Sequence, residues 1–303
     1  MPAERFLVTG ATGFIGRHVA SALAAEGARV AGVARTPPRG GDERLEWFGA
    51  DLLAPGAAGA VVAAFRPDVL VHAAWYTRHG LFWAAAENED WVRATVALAE
   101  VFRDAGGRRF VGIGSCAEYD WTLPGAAPWP ETRALAPATA YGRAKCAAAD
   151  RVSKVCAGTG VAFAWARLFH LFGRDEHPDR LVPSVALALL RGERAAIGSG
   201  RHVRDFCDSA YAGQAIAAVA LATAEGAVNI GSGEPLSIGE LTRLIGELCG
   251  RPDFVCLGAR PDRPDDPPSM APDLRRLREE VAFREPHDLS SRLAAAVDRL
   301  RRS

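Results

Sequence analysis

Lysine is almost missing from this chain: of its 36 basic residues only Lys145 and Lys154 are lysines, which leaves 34 arginines. Net charge is missing too. The 36 acidic residues balance the basic ones, which argues against a nucleic-acid or membrane-surface partner and leaves any anion binding to local patches. The longest apolar runs, such as AIAAVALATA from Ala215 to Ala224, fall short of the roughly 20 residues that span a bilayer. The start, MPAER followed at once by FLVTG, has no basic, apolar and small-residue segments in series, so no secretory signal is expected and the protein reads as cytoplasmic. The six cysteines form no C-x-x-C pair and no Cys/His group at ligand spacing, so neither a disulfide nor a metal is expected.

What is present is a composition that buries a full core: 303 residues, 49% of them hydrophobic, fit one large domain or two unequal ones. The first half alternates short β-branched runs with longer amphipathic segments, which predicts parallel strands joined by crossover helices. Strands are expected near Phe6 to Thr9, Arg29 to Ala34, Val69 to Ala73, Phe110 to Gly114 and Ala162 to Arg167. Helices are expected at Phe14 to Glu26, Ala58 to Phe65, Phe82 to Ala105 and Tyr141 to Thr159. Beyond Arg167 the elements shorten into a smaller lobe, with a helix at Asp208 to Thr223 and a strand at Ala227 to Ile230. PDRPDDPPSMAP, residues 261 to 272, is too proline-rich for regular structure and reads as a surface loop or a clamp over a ligand. The fold class is α/β, a Rossmann-like doubly wound parallel sheet with a smaller C-terminal substrate-binding lobe. The expected division is 1–169 and 170–303, with about 204–231 returning to the first part.

LVTGATGFIGRH, residues 7 to 18, places Gly10, Gly13 and Gly16 between the first strand and the first helix, with Thr12, Phe14 and Ile15 on the same turn. Glycines there let the backbone approach a pyrophosphate, which meets the free N–H groups of the helix start. The second strand ends GVAR. Where NAD would call for a carboxylate beside the ribose hydroxyl, Arg35 stands, and arginine suits a 2′-phosphate. NADP(H) is therefore the preferred cofactor, with NAD(H) as the alternative, and Arg17 is a candidate second charge for the same pocket. Asp51 and Leu52 in FGADLL fit the adenine, and His72, Ala73 and Ala74 at the end of the fourth strand fit the dinucleotide's path.

Tyr141 and Lys145 lie four apart at a helix start, so both project from one face. A phenol titrates near 10 and needs a fixed cation to become a useful acid or base near neutrality. A slim ammonium faces the phenol and two ribose hydroxyls from one point, which arginine's broad fork does not. FVGIGSCAEYDW carries Ser115 to the carboxyl edge of the sheet, where its hydroxyl can hold a substrate oxygen. The candidate catalytic set is Ser115, Tyr141 and Lys145. Cys116 reads as a small buried filler.

GATGFIG, Asp51, HAA, Ser115 and Y-G-R-A-K together resemble the extended short-chain dehydrogenase/reductases, in particular their nucleotide-sugar epimerase/dehydratase branch. The resemblance covers nearly the whole chain and implies a nucleotide-diphosphate sugar as substrate and a homodimer as the assembly. It implies a structural and proton-relay role for Asn88. In RLFHLFG, residues 167 to 173, His170 stands where the family has an asparagine that contacts substrate. Arg204 in VRDFCDSAYAGQAI and Arg263 in RPDDPP take the places of diphosphate-gripping arginines, and Asp273 that of the acidic residue that follows.

Within the family, 4,6-dehydratases carry Thr-Asp-Glu where this chain has Ser115, Cys116 and Ala117, so dehydration is disfavoured unless Glu118 is recruited. Arg35 turns the reading toward NADPH-dependent reduction of the C4 keto group of a nucleotide-linked 4-keto-6-deoxy sugar. An NAD-dependent 4-epimerase is the alternative, and a non-catalytic redox sensor the second. Cys116 and His177 have loose counterparts in the GDP-fucose synthase-like reductases and receive no role. Trp75, Tyr76, Arg78 and His79 are placed either against the sugar or in a packed aromatic loop.

Overall fold

A computed structural model describes residues 4–40, 42–123 and 128–302; the outermost ends of the two expected domains, residues 1–3 and 303, lie outside the described residues. The elements run β1 (Arg5–Thr9), α1 (Gly16–Ala25), β2 (Arg29–Ala34), β3 (Leu45–Gly49), α2 (Ala57–Phe65), β4 (Val69–His72), α3 (Glu87–Asp104), β5 (Arg109–Ser115), α4 (Ala140–Cys156) and β6 (Ala162–Leu168). They continue with β7 (His170–Phe172), α5 (Leu181–Leu190), β8 (Ala195–Ala196), β9 (Val203–Asp208), α6 (Ser209–Leu221), β10 (Gly226–Ile230) and β11 (Pro235–Ser237). The last are α7 (Ile238–Leu248), β12 (Val255–Cys256), β13 (Ser269–Met270), α8 (Arg275–Glu279) and α9 (Leu289–Arg302).

Seven strands form one sheet in the order β10-β6-β5-β4-β1-β2-β3, every pair parallel. This is the expected Rossmann-like sheet. Its inner strands are apolar without alternation because helices cover both faces. Phe6, Val8, Val71 and Val111 pack against α1 and α6, while Leu7, Leu70 and Phe110 pack against α2, α3 and α4. The two helices of the first face approach closely at Gly213, where a Cβ would come within 2.4 Å of the His18 Cβ. The strand order reverses at β1 and β4, so the loops leaving β1, β4 and β5 converge at the carboxyl edge, the usual ligand position in such sheets.

The smaller lobe builds a second core from Phe172, Val182, Leu189, Leu241, Ile245 and Leu293. β7, β9, β11 and β13 form its sheet. Two expectations need correction. α3 begins at Glu87 rather than Phe82, because the Asn88 amide donates to the carbonyls of Phe82 and Ala85 and the Trp83 carbonyl accepts from Tyr141 N–H, which holds the preceding segment as turns. The proline-rich stretch is also not wholly irregular: Ser269–Met270 pairs with β9 in parallel.

Candidate active site

The glycine turn is shaped by contact. Gly10 has φ 65°, and a Cβ on it would lie 2.8 Å from the Ala74 nitrogen; on Gly16 it would lie 2.2 Å from the Gly10 carbonyl. Only glycine allows β1, α1 and the Ala73–Ala74 backbone to meet this closely. Gly13 donates to the Gly10 carbonyl at 2.8 Å, and Thr12 and Gly13 are exposed beside the start of α1, with Phe14 and Ile15 half-buried. An exposed helix start of this shape fits a dinucleotide pyrophosphate. Arg35 is exposed at the end of β2. Asp51 is exposed and accepts from the Leu53 N–H at 3.1 Å, next to buried Leu52.

The side chains of two cofactor candidates, His72 and Arg17, are held by the protein itself. His72 Nδ1 lies 2.8 Å from the Thr9 hydroxyl and Nε2 3.0 Å from the Thr95 hydroxyl. Thr95 gives its own proton to the Trp91 carbonyl, so it accepts from Nε2–H and leaves Nδ1 to accept from Thr9. Burial, then Lys145, lowers the ring to about 3. The ring is a neutral cross-link among β1, β4 and α3 with both nitrogens engaged. Arg17 is equally committed: its guanidinium bonds the Asp175 carboxylate and the Arg174 carbonyl on the loop after β7.

Ser115 ends β5 and caps a 3₁₀ turn, Cys116–Glu118. Its Oγ accepts from Ala117 N–H at 3.2 Å, while its own N–H donates to Glu118 Oε1 at 2.8 Å. Glu118 is fully buried. Oε1 also accepts from Trp165 Nε1 at 2.9 Å, and Oε2 pairs with Arg167 Nε at 2.8 Å. Gly112 and Gly114 make room for that indole, since a Cβ on either would lie 2.1 to 2.3 Å from it. Arg167 continues to the Tyr119 hydroxyl at 3.2 Å, which donates to Asn229 Oδ1 at 2.6 Å. Glu118 thus fixes the Ser115 backbone from below and presents nothing to a substrate. The Cys116 thiol is pushed up to about 12 by burial above all, which leaves it inert.

Thr139 caps α4 by accepting from the Gly142 N–H at 3.0 Å, and a Cβ at Gly142 would lie 2.3 Å from the Ala117 carbonyl. That close seat brings the first turn of α4 against the end of β5. Tyr141 sits among the edges of Phe82 (4.9 Å), Trp83 (5.7 Å) and Trp75 (6.5 Å between ring centres). Lys145 is buried; its Nζ donates to the Ile113 carbonyl at 2.8 Å and stands 3.6 Å from the Trp75 ring centre and 5.7 Å from that of Tyr141. Trp75 is oriented by its Nε1 donating to Asn88 Oδ1 at 2.9 Å, so Asn88, fully committed, positions the wall of the site.

The electrostatics depart from the expectation that Lys145 brings the phenol down. Burial, followed by Glu118 and Cys116, raises the Tyr141 phenol above its ordinary value, with the Ser115 hydroxyl acting the other way. Burial lowers Lys145 to about 7, opposed by Glu118. Before cofactor enters, the phenol holds its proton.

The substrate side gathers residues from the second half of the chain. His170 is lowered to about 3 by burial, then by Arg204 and Arg180, and its shielded Nδ1 has no hydrogen-bond partner. Arg204 is buried and pairs with Asp266 of the proline-rich stretch at 2.6 Å. Arg263 is exposed on that stretch. Asp273 pairs with Arg275. Sequence reasoning missed Glu176 and Arg180, an i,i+4 ion pair at 3.3 Å whose carboxyl burial raises to about 7. The signal that could have found them is a carboxylate and a guanidinium one turn apart in the loop leaving β7. A separate cavity of about 540 Å³ lies between Tyr211, Leu277 and His287 and contains none of these groups.

A family model described as the NAD dependent epimerase/dehydratase family matches residues 6–231. A dTDP-6-deoxy-L-talose 4-dehydrogenase (NAD(P)(+)) from Kitasatospora kifunensis is 29% identical over 275 residues, 85% of this chain and 83% of the relative. A UDP-glucose 4-epimerase from Mycolicibacterium smegmatis is 27% identical over 292 residues, 90% of this chain and 89% of the relative. A dTDP-glucose 4,6-dehydratase from Streptomyces venezuelae, solved with NAD, superposes with a TM-score of 0.83 at 24% identity, covering 98% of this chain and 97% of its own. Among the described residues, no helix is long and apolar enough to cross a membrane.

Proposed function

The chain belongs to the NAD-dependent epimerase/dehydratase family, and we propose that it uses NADPH to reduce the C4 keto group of a nucleotide-linked 4-keto-6-deoxy sugar. The observation that carries this reading is the pairing of Tyr141 with Lys145, whose Nζ lies 5.7 Å from the phenol ring centre, in a chain that places the exposed Arg35 at the end of β2. Reduction of a ketone needs a proton donor, whereas opening an epimerase cycle needs the same group as a base. Reduced nicotinamide, when bound, supplies hydride for C4. Tyr141 gives its proton to the oxygen on that carbon, Ser115 holds the same oxygen by a hydrogen bond, and Lys145 stabilises the phenolate left behind. Arg204 would bind the diphosphate, with Arg263 of the proline-rich stretch as a second donor.

Arg35, exposed at the end of β2, supports NADPH, and the likeness to a 4-dehydrogenase that uses NAD(P)(+) supports chemistry at C4. Glu118, bound to Arg167, Trp165 and the Ser115 N–H, supports setting dehydration aside. NAD-dependent 4-epimerisation is the second reading, favoured by the likeness to a 4-epimerase across most of the chain. The Tyr141 and Lys145 pair speaks against a non-catalytic sensor. A homodimer acting in the cytoplasm completes the proposal, by analogy with the family alone. The test is NADPH absorbance with a panel of 4-keto sugar nucleotides. Stoichiometric oxidation is expected; sugar isomerisation without net cofactor change would replace the reading by the second one.

A further inference from the structure

His79 and His177 come from distant parts of the sequence and meet face to face, ring centres 4.5 Å apart and planes within 18°. Asp179 completes a group: one ligand atom from each residue lies within 4.8 Å of the other two. The geometry points to a divalent transition-metal site, of the zinc class, that ties the loop after β4 to the loop after β7. Two imidazoles and a carboxylate are a borderline donor set that suits zinc, nickel or copper and not magnesium or calcium, which prefer oxygen alone. The site leaves a fourth tetrahedral position for water.

The second observation is an orphaned atom. His79 Nδ1 is shielded from solvent and has no hydrogen-bond partner, which is unfavourable for a polar atom unless something unseen satisfies it. His177 Nδ1 is served weakly, by the Asp179 N–H at 3.3 Å and the Asp179 carboxylate at 3.7 Å. A tetrahedral zinc holds such ligand atoms about 3.3 Å apart, so the group closes from its present spacing of up to 4.8 Å by turning the two stacked rings until their lone pairs converge on one point. Arg180 is the nearby cation, and it points to Glu176 at 3.3 Å.

The consequence lies in what the two loops carry. The first holds Trp75, Phe82 and Trp83, which enclose Tyr141 and Lys145; the second holds Glu176 and Arg180 on the substrate side. A shared ion would latch these walls together across the cleft. Spacing along the chain hides it, because His79 and His177 stand in distant loops with no ligand motif.

The test uses the full chain stripped with a chelator, then titrated with Zn²⁺ and, separately, Co²⁺. Expected are one Zn²⁺ per chain and the visible ligand-field bands of a low-symmetry Co²⁺ complex. His79→Phe and His177→Phe keep an aromatic stack while removing the donor. Each should retain the wild-type circular dichroism and bind at least about tenfold more weakly, the lower bound set even by outer-shell losses at metal sites. Asp179→Asn should weaken binding less, and Mg²⁺ should not compete. Failure to take up Zn²⁺ at micromolar concentration, or equal uptake by the phenylalanine variants, overturns the site. Because the readout is metal content and absorption, its outcome is independent of which sugar the enzyme uses.

Discussion

The ammonium of Lys145 lies 3.6 Å from the centre of the Trp75 ring and donates to the Ile113 carbonyl at 2.8 Å. One face of the cation meets a π surface and another a strand carbonyl, in a slot that is closed to water. A guanidinium is too broad for that slot, which explains why a chain so rich in arginine keeps lysine here.

Burial lowers Lys145 from 10.5 to about 7. Between those values the unfolded chain binds more protons than the folded one, so the folded state gains stability as pH rises through that window and bears the full penalty below it. Lys145→Met removes the titration. The difference in unfolding free energy, variant minus wild type, should be most favourable to the variant at and below pH 7 and fall toward pH 10, by at most about 1.4 kcal/mol per pH unit. A difference that does not change with pH would mean that Lys145 is charged throughout.

The sheet, the glycine turn and the Tyr141–Lys145 face were legible because each depends on local spacing. Residues that act through tertiary contacts were not. Spacing leaves His72 open between a structural and a cofactor-contacting role, and only tertiary contact puts Thr9 and Thr95 on its two nitrogens; likewise only tertiary contact brings Asp175 to Arg17 from the far side of the cleft. Glu118 could be read as a recruited acid because sequence does not show that Arg167 and Trp165 enclose it. Partners so distant along the chain leave no periodic trace.

Glu118→Ala should lower stability by about 3–5 kcal/mol, because it strands the buried Arg167 charge. Adding Arg167→Met should recover part of that loss, so the double variant unfolds in urea at a higher concentration than the sum of the two single changes implies. Simple additivity would show that the pair at 2.8 Å is not coupled and that Ser115 is held in place by something else.

Arg35 makes no ion pair or hydrogen bond among the described residues and is exposed where β2 ends. A charge-assisted hydrogen bond to a 2′-phosphate contributes about 1.5–3 kcal/mol, so Arg35→Ala should weaken NADPH binding roughly tenfold or more and leave NADH within about twofold. Fluorescence titration of both reduced cofactors measures this directly. Equal losses for the two, or tighter NADH binding by the wild type, would transfer the chain to NAD.

Asp266 sits on Arg204 at 2.6 Å, with its own side chain about a third exposed while the guanidinium is buried. A carboxylate in that position would compete with a diphosphate for the same donors, so under the proposed role of Arg204 the proline-rich stretch would have to release it before a nucleotide sugar is gripped. With Asp266 about a third exposed and screened by water, we take its hold on Arg204 as about 1 kcal/mol. Asp266→Asn should therefore tighten binding of UDP or dTDP by about two- to fivefold in calorimetry. The ligand-free variant should also melt at a lower temperature, since a buried guanidinium has lost its counter-charge, and gain more than the wild type when the diphosphate is added. Unchanged or weaker diphosphate binding would show that Arg204 and Asp266 form a permanent strut, with the phosphate held elsewhere.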